Sequence, residues 1–239
     1  MSSIPIHNAN VTLTSMTWPL ASKYSSDIDA YWRKRTAAQP WLYDGDILLL
    51  YKWTLSNGRF DGECLKTGYR SFLFWREHPA LDADVYDFFS AVCVRSSEGW
   101  IMLGRAGAST SRPGAVFPPC GSLHPDDVSG ANVDLEASML RELKEETGLD
   151  LACKDLDSPI LIFDGQRIVY LRSIMLPRSA DEIAKNVQNF LASSIEPELA
   201  HIRFVRSIAD IEDAAIAKWV REYIRDAWQD RTEAPAPVS

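Results

Sequence analysis

Glu142, Glu145 and Glu146 stand at i, i+3 and i+4 within RELKEETGL, the stretch from Arg141 to Leu149. On a helix these positions share one face, and like charges so placed repel one another. Solvent, a protein cation or a bound metal must offset that repulsion. Carboxylate oxygens are the hard ligands that Mg²⁺ or Mn²⁺ prefers, so the three acids form a candidate metal site. On charge alone, a solvated acidic face is the competing reading. Arg141 precedes Glu145 by four residues and can orient its carboxylate. Met139, Leu140 and Leu143 occupy an adjoining sector able to pack on a sheet, and Gly148 falls where a left-handed residue closes a helix. The pattern predicts a helix over about Leu135 to Thr147.

Other elements must hold that helix in place. FFSAVCVRSSEGWIMLGRAG reads as two apolar strands joined by a turn at Ser96 to Gly99. The loop STSRPGAVFPPCGSLHPDD then leads to the acidic helix. SPILIFDGQRIVYLRSIML is a hairpin turning at Asp164-Gly165. SADEIAKNVQNFLASS and SIADIEDAAIAKWVREYIRDAW read as helices flanking a strand at ELAHIRFV. This alternation fits a mixed sheet covered by helices on both faces over residues 86–230.

Residues 1–85 read as an N-terminal α+β extension. It comprises a strand at NVTLTSM, a helix at SSDIDAYWRKRTAA, a hairpin turning at Asn57-Gly58 and a short aromatic helix at YRSFLFWREH that ends before Pro79. Trp18, Trp32, Trp41, Trp53 and Trp75 lie in this part. Core packing is the expectation for each, and stacking on a nucleobase is the sharper alternative. Residues 231–239, RTEAPAPVS, have the character of a disordered tail.

RELKEETGL matches without a gap the second half of the Nudix box, R-E-U-x-E-E-x-G-U with U a bulky aliphatic residue, and PPCGSL resembles the glycine turn that opens it. The resemblance implies a Nudix-type α/β/α sandwich. It further implies a hydrolase that uses Mg²⁺ or Mn²⁺ to cleave a nucleoside diphosphate linked to another moiety. Carried onto this chain, Glu142, Glu145, Glu146 and Gly121 are the metal-site residues. Arg141, Glu142, Glu145 and Glu146 are the catalytic set, with Glu142 as general base or bridging ligand.

The chain departs from the pattern at two points. Val133 stands where the box has a glutamate, eight residues before Arg141, with Asp134 or Glu136 as candidate replacements. Gly121 lies 20 residues before Arg141 where the pattern has 14, which leaves about six inserted residues. The alternative reading is a non-catalytic module that binds a nucleotide. Retention of Arg141 and all three glutamates favours the enzyme.

For the substrate, Arg105, Arg112, Ser122 and Glu198 are the candidate contacts. His124, in the enlarged loop, is given no role. QPWLYDGDILLL followed by LKTGYRSFLFW is similar to the N-terminal segment of the UDP-sugar-hydrolysing branch of the same family. A UDP-sugar is therefore the first expectation and an ADP-ribose-like compound the second.

Composition sets the bounds. A net charge of −8 over 239 residues argues against binding along a nucleic-acid backbone, yet leaves room for one small anionic ligand. No apolar run approaches the roughly twenty residues of a membrane helix, and the N-terminus lacks signal-peptide features, so a cytoplasmic location is expected. The glycines of GRAGASTSRPG do not form a P-loop. Four separated cysteines, with no C-x-x-C pair, read as reduced structural thiols. The apolar stripe Ile216, Trp219, Val220 and Tyr223 is either core, the expectation, or the seam of a homodimer.

Overall fold

The structure is a computed structural model that describes residues 2–233. Its first part contains β1 (Ser2–Pro5), β2 (Asn8–Thr17), α1 (Pro19–Lys23), α2 (Ser25–Ala38), β3 (Asp46–Ser56), β4 (Arg59–Gly68) and α3 (Tyr69–Glu77). There follow β5 (Asp87–Arg95), β6 (Ile101–Ala106), β7 (Val116–Phe117), β8 (Cys120–Ser122), β9 (Val128–Ser129), β10 (Asn132–Val133) and α4 (Leu135–Thr147). The chain continues through β11 (Ile160–Asp164), β12 (Arg167–Met175), α5 (Ala180–Ser193), β13 (Leu199–Val205) and α6 (Lys218–Glu233).

Two mixed sheets result. The larger runs β1-β11-β12-β5-β6-β13, with β7 paired to β6 and β8 to β5, and its β12–β5 pair is parallel. The smaller runs β3-β4-β2-β10-β9, with β2 and β4 parallel. Each sheet takes a strand from the far side of residue 85. β1 pairs with β11, and β10 pairs with β2.

Strand alternation distributes the core over both faces of the larger sheet. Phe89, Ala91 and Cys93 of β5 pack with Trp219, Val220, Tyr223 and Ile224 of α6. Val92 and Val94 face the other way, against Met139 and Leu143 of α4 and Ile183 and Val187 of α5. This is an α/β/α sandwich. On the same face as Val92, Phe88 meets Leu48, Leu50 and Phe60 of the smaller sheet, so that sheet continues the covering layer begun by α4. The apolar stripe is core: Ile216, just before α6, and Trp219, Val220 and Tyr223 on it are all buried.

The Asn57-Gly58 turn has both residues at positive φ (51° and 72°), as a two-residue hairpin demands. One helix begins later than its sequence suggests. Residues 208–212 form a single 3₁₀ turn tied by a Ser207–Asp210 capping box, and α6 starts only at Lys218. Between them the Asp213 carboxylate accepts the Ala215 N–H, and Ile216 bridges to Val116, which draws the chain out of helical geometry. Of the expected tail, Arg231 to Glu233 continue α6, and the rest lies outside the described residues. Among the described residues no helix is long and apolar enough to cross a membrane.

Candidate active site

Helix α4 forms where its sequence predicts. Asp134 caps it by accepting the Ala137 N–H at 2.9 Å, and Gly148 closes it in the left-handed region at φ 71°. Met139 and Leu143 press on the sheet, which turns the acidic side toward the ends of β5 and β8. There a cleft of about 400 Å³ opens between the two sheets. Gly121, Ser122, Arg141, Glu142, Glu146 and Glu198 line it, together with Arg112 from the preceding loop.

The three glutamates are not equivalent. Glu142 and Glu146 line the cleft, and Glu146 is 4% exposed. Glu145 keeps 60% of its side chain in solvent and sits at the rim, held by Arg141 at 3.0 Å. Helical geometry accounts for the split, because positions 145 and 146 diverge by about 100° around the axis. The Arg141 guanidinium also donates to Glu142 at 2.8 Å. The protein cation named as one answer to the repulsion is therefore in place.

Arg141 satisfies only part of that charge. Burial drives the Glu142 carboxyl up to about 7, with Glu145 and Glu198 adding to the rise and Arg141 opposing it. Burial, then Glu142 and Glu198, push Glu146 well above the ordinary carboxylate range. Glu198 is raised too, by burial and by Glu145. Glu146 accepts the Cys120 N–H at 3.3 Å, and among the described residues no lysine, arginine or histidine reaches it. Burial of this kind disfavours the charged form of each carboxyl, and a nearby cation would restore it.

Among the described residues no three acidic, histidine or cysteine groups are already gathered in a ligand arrangement. The donor chemistry nevertheless suits a hard divalent ion, since Glu142 and Glu146 offer carboxylate oxygens to one cleft and Glu146 is buried without a protein cation. Gly121 fits the same picture. A β-carbon there would stand 2.0 Å from the Glu142 Cδ, so only glycine leaves space for that carboxylate.

The enlarged loop places a buried acid against Arg141. Asp127 is 6% exposed and receives the Arg141 Nε and Nη2 donors, each at 3.2 Å. It also accepts the His124 N–H at 2.8 Å, which closes a 3₁₀ turn over Pro125 to Asp127. The two replacements considered from sequence do other work. Asp134 is the α4 cap, and Glu136 pairs with Arg172, away from the cleft. Asp127 lies inside the inserted residues, outside the register of the box, and only its position among turn-forming residues hinted at a buried role.

The remaining candidates divide. Arg112, Ser122 and Glu198 line the cleft, and His124 lines it as well. Arg105 does not. It precedes the cleft residue Ala106 on β6, so the pleat turns it to the opposite side, where its charge acts on Asp213 and its Nη2 lies beside Gly114.

The segment before β3 and helix α3 contribute the rest of the lining. Asp44 binds Arg70 through the Arg70 N–H at 2.9 Å and its Nε at 3.1 Å. This clips the 41–43 segment to α3. Trp41, Tyr43, Tyr69, Phe72 and Arg76 thereby reach the cleft. Trp41 is 45% exposed and Tyr43 82%, while Trp18 and Trp75 are core. The Trp41 Nε1 donates to the Thr110 carbonyl at 3.3 Å, linking the two sides of the mouth.

No protein-family model matches the sequence, and no curated protein matches it. Among solved structures, a MutT protein from Methanosarcina mazei Go1 is similar at 15% identity, with 62% of this chain and 96% of that chain covered and a TM-score of 0.42. A bifunctional NMN adenylyltransferase/ADP ribose pyrophosphatase from Francisella tularensis, complexed with AMP and a Mn ion, shares 14% identity over 66% of this chain and 46% of its own, TM-score 0.45. The NUDIX domain of Shewanella oneidensis NrtR, complexed with ADP ribose, shares 12% over 61% and 88%, TM-score 0.41.

Proposed function

We propose that this chain is a metal-dependent pyrophosphohydrolase that cleaves the diphosphate of a nucleoside diphosphate joined to another moiety. One observation carries the reading: buried Glu146 and half-buried Glu142 line the same cleft, and only Glu142 has a protein cation beside it. Burial of that kind is costly unless a cation and its ligand complete the site. The resemblance of RELKEETGL to the Nudix box names the chemistry. The buried Asp127–Arg141 contact favours a working site over a non-catalytic module, because it holds the arginine that reaches Glu142 and Glu145.

Glu142 and Glu146 would hold Mg²⁺ or Mn²⁺, with Glu145 and the Gly121 carbonyl completing the set. A divalent ion bound there supplies Lewis-acid neutralisation of phosphate oxygens and lowers the pKa of a bound water. Arg141 holds Glu142 and Glu145 in register from its Asp127 anchor. If Glu142 is left off the metal, it is the cleft carboxylate held by Arg141 that would accept the proton of the attacking water. Glu198 lines the same cleft and keeps the water-activating region acidic.

The substrate is read as a UDP-sugar before an ADP-ribose-like compound. Support comes from the meeting, at the cleft, of the two N-terminal segments that resemble the UDP-sugar branch, with Trp41 and Tyr43 as exposed platforms for a base or sugar. Incubation of the protein with UDP-glucose, UDP-galactose, ADP-ribose and NADH in the presence of Mg²⁺ tests this order. Release of UMP and sugar phosphate is expected. Turnover of ADP-ribose alone would reverse the order, and turnover of none would remove the proposal.

A further inference from the structure

The cleft lining holds two arginines besides Arg141. Arg76, in the last turn of α3, lies with its guanidinium 5.1 Å from the centre of the Phe72 ring. Arg112 lies 5.6 Å from the Phe117 ring. Both line the cleft, and burial, then the charge of Arg112, hold the Arg76 guanidinium below its ordinary value. Among the described residues neither has a carboxylate within 4.0 Å. Asp87, the acid whose charge favours Arg76, is already bonded to Arg167 at 3.3 Å.

A cation in the last turn of a helix gains from the helix dipole, and that alone accounts for a basic residue at position 76. It does not account for a guanidinium drawn into a cleft and desolvated there beside a second arginine. Two like charges kept together on aromatic supports, without an acid between them, form a receptor for an anion. The planar fork of arginine matches phosphate oxygens in pairs.

We propose that Arg76 and Arg112 bind the phosphoryl oxygens of the substrate, making α3 part of the substrate-binding surface. The inference rests on reading this cleft as a diphosphate site. It gives residues 69–77 a direct part in recognition in addition to their packing. Arg76 thus sets affinity for the diphosphate, while the carboxylates set the rate of its cleavage.

Isothermal titration of inorganic pyrophosphate into the full chain, once with Mg²⁺ and once with EDTA, tests the pair without requiring turnover. The wild-type chain is expected to bind in both buffers. Arg76→Gln and Arg112→Gln are each expected to weaken binding by about tenfold to a hundredfold in both, the range of a charge-assisted phosphate contact. Their Mg²⁺ affinity, titrated separately, is expected to match wild type. Should Arg76→Gln fail to fold by circular dichroism, Arg112→Gln, on an exposed loop, carries the test by itself. Wild-type binding undiminished in the variants overturns the inference and leaves the hydrolase reading standing, as does an absence of wild-type binding in EDTA. Binding lost in the variants of a chain that hydrolyses no nucleotide supports the pair and removes the hydrolase reading.

Discussion

Asp127 and Arg141 are joined by two contacts of 3.2 Å across fourteen residues of chain, and this pair fixes the acidic helix to the loop that opens the cleft. The same guanidinium reaches Glu142 and Glu145 through its Nη1. A buried residue of an inserted turn therefore sets the position of two candidate ligands on the next helix.

Asp127→Asn is expected to loosen that arrangement. The neutral amide keeps the shape of the turn but loses the charge-assisted character of both contacts. Because 34% of the Arg141 side chain stays in solvent, the cost in stability is discounted to about 1–2 kcal/mol. Urea denaturation measures it. Mg²⁺ affinity is expected to fall in the same variant, and wild-type values for both would show that Arg141 is positioned by something else.

Gly121→Ala separates the fold from the site. The added methyl collides with the far end of the Glu142 side chain, a group that can swing away, and the glycine's backbone does not need a positive φ. A stability loss of only about 1–2 kcal/mol is expected, as for modest overpacking. Displacing a reacting carboxylate by an ångström costs about a hundredfold in rate, and a loss of that order in Mg²⁺-dependent hydrolysis is the expected outcome. Activity near wild type would show that Glu142 is not used where it stands.

The metal-free protein should lose stability as the pH rises. The Glu142 carboxyl ordinarily titrates at 4.5 and is raised to about 7 in the fold, so the folded state binds more protons than the unfolded state between those values. Stability then declines with pH through that window, by about 2–3 kcal/mol once the carboxyl is ionised in both states. Added Mg²⁺ should flatten the decline. Melting temperatures from pH 4.5 to 7.5, with EDTA or with Mg²⁺, provide the measurement. A rise in metal-free stability over this range would contradict the crowding of these carboxylates.

Much of this was readable in advance where local chemistry sets the outcome. The α4 boundaries followed from the Met139–Leu143 stripe and Gly148, and the β3–β4 hairpin from Asn57-Gly58. Core burial of Trp219 and Tyr223 followed from their helical spacing. Features that depend on distant pairing were hidden. Asp127 looks like a loop acid until Arg141 is seen to reach it, and Arg76 looks like a helix-terminal cation until the Asp44–Arg70 contact is seen to bring α3 to the cleft. Arg105 was misplaced because the residue count along β6 does not reveal which side of the pleat faces the site. Sequence spacing does not show how far the three glutamates differ in exposure, with Glu145 60% in solvent.

Binding of Mn²⁺, followed by electron paramagnetic resonance alongside hydrolysis of UDP-glucose in wild type and Glu146→Gln, addresses the central claim most directly. Glu146 is buried with no protein cation beside it, so the amide should be accommodated without unfolding. The account predicts saturable Mn²⁺ binding and metal-dependent cleavage in the wild-type chain, both lost in a folded Glu146→Gln. Equal Mn²⁺ binding and equal turnover in the two proteins would contradict it.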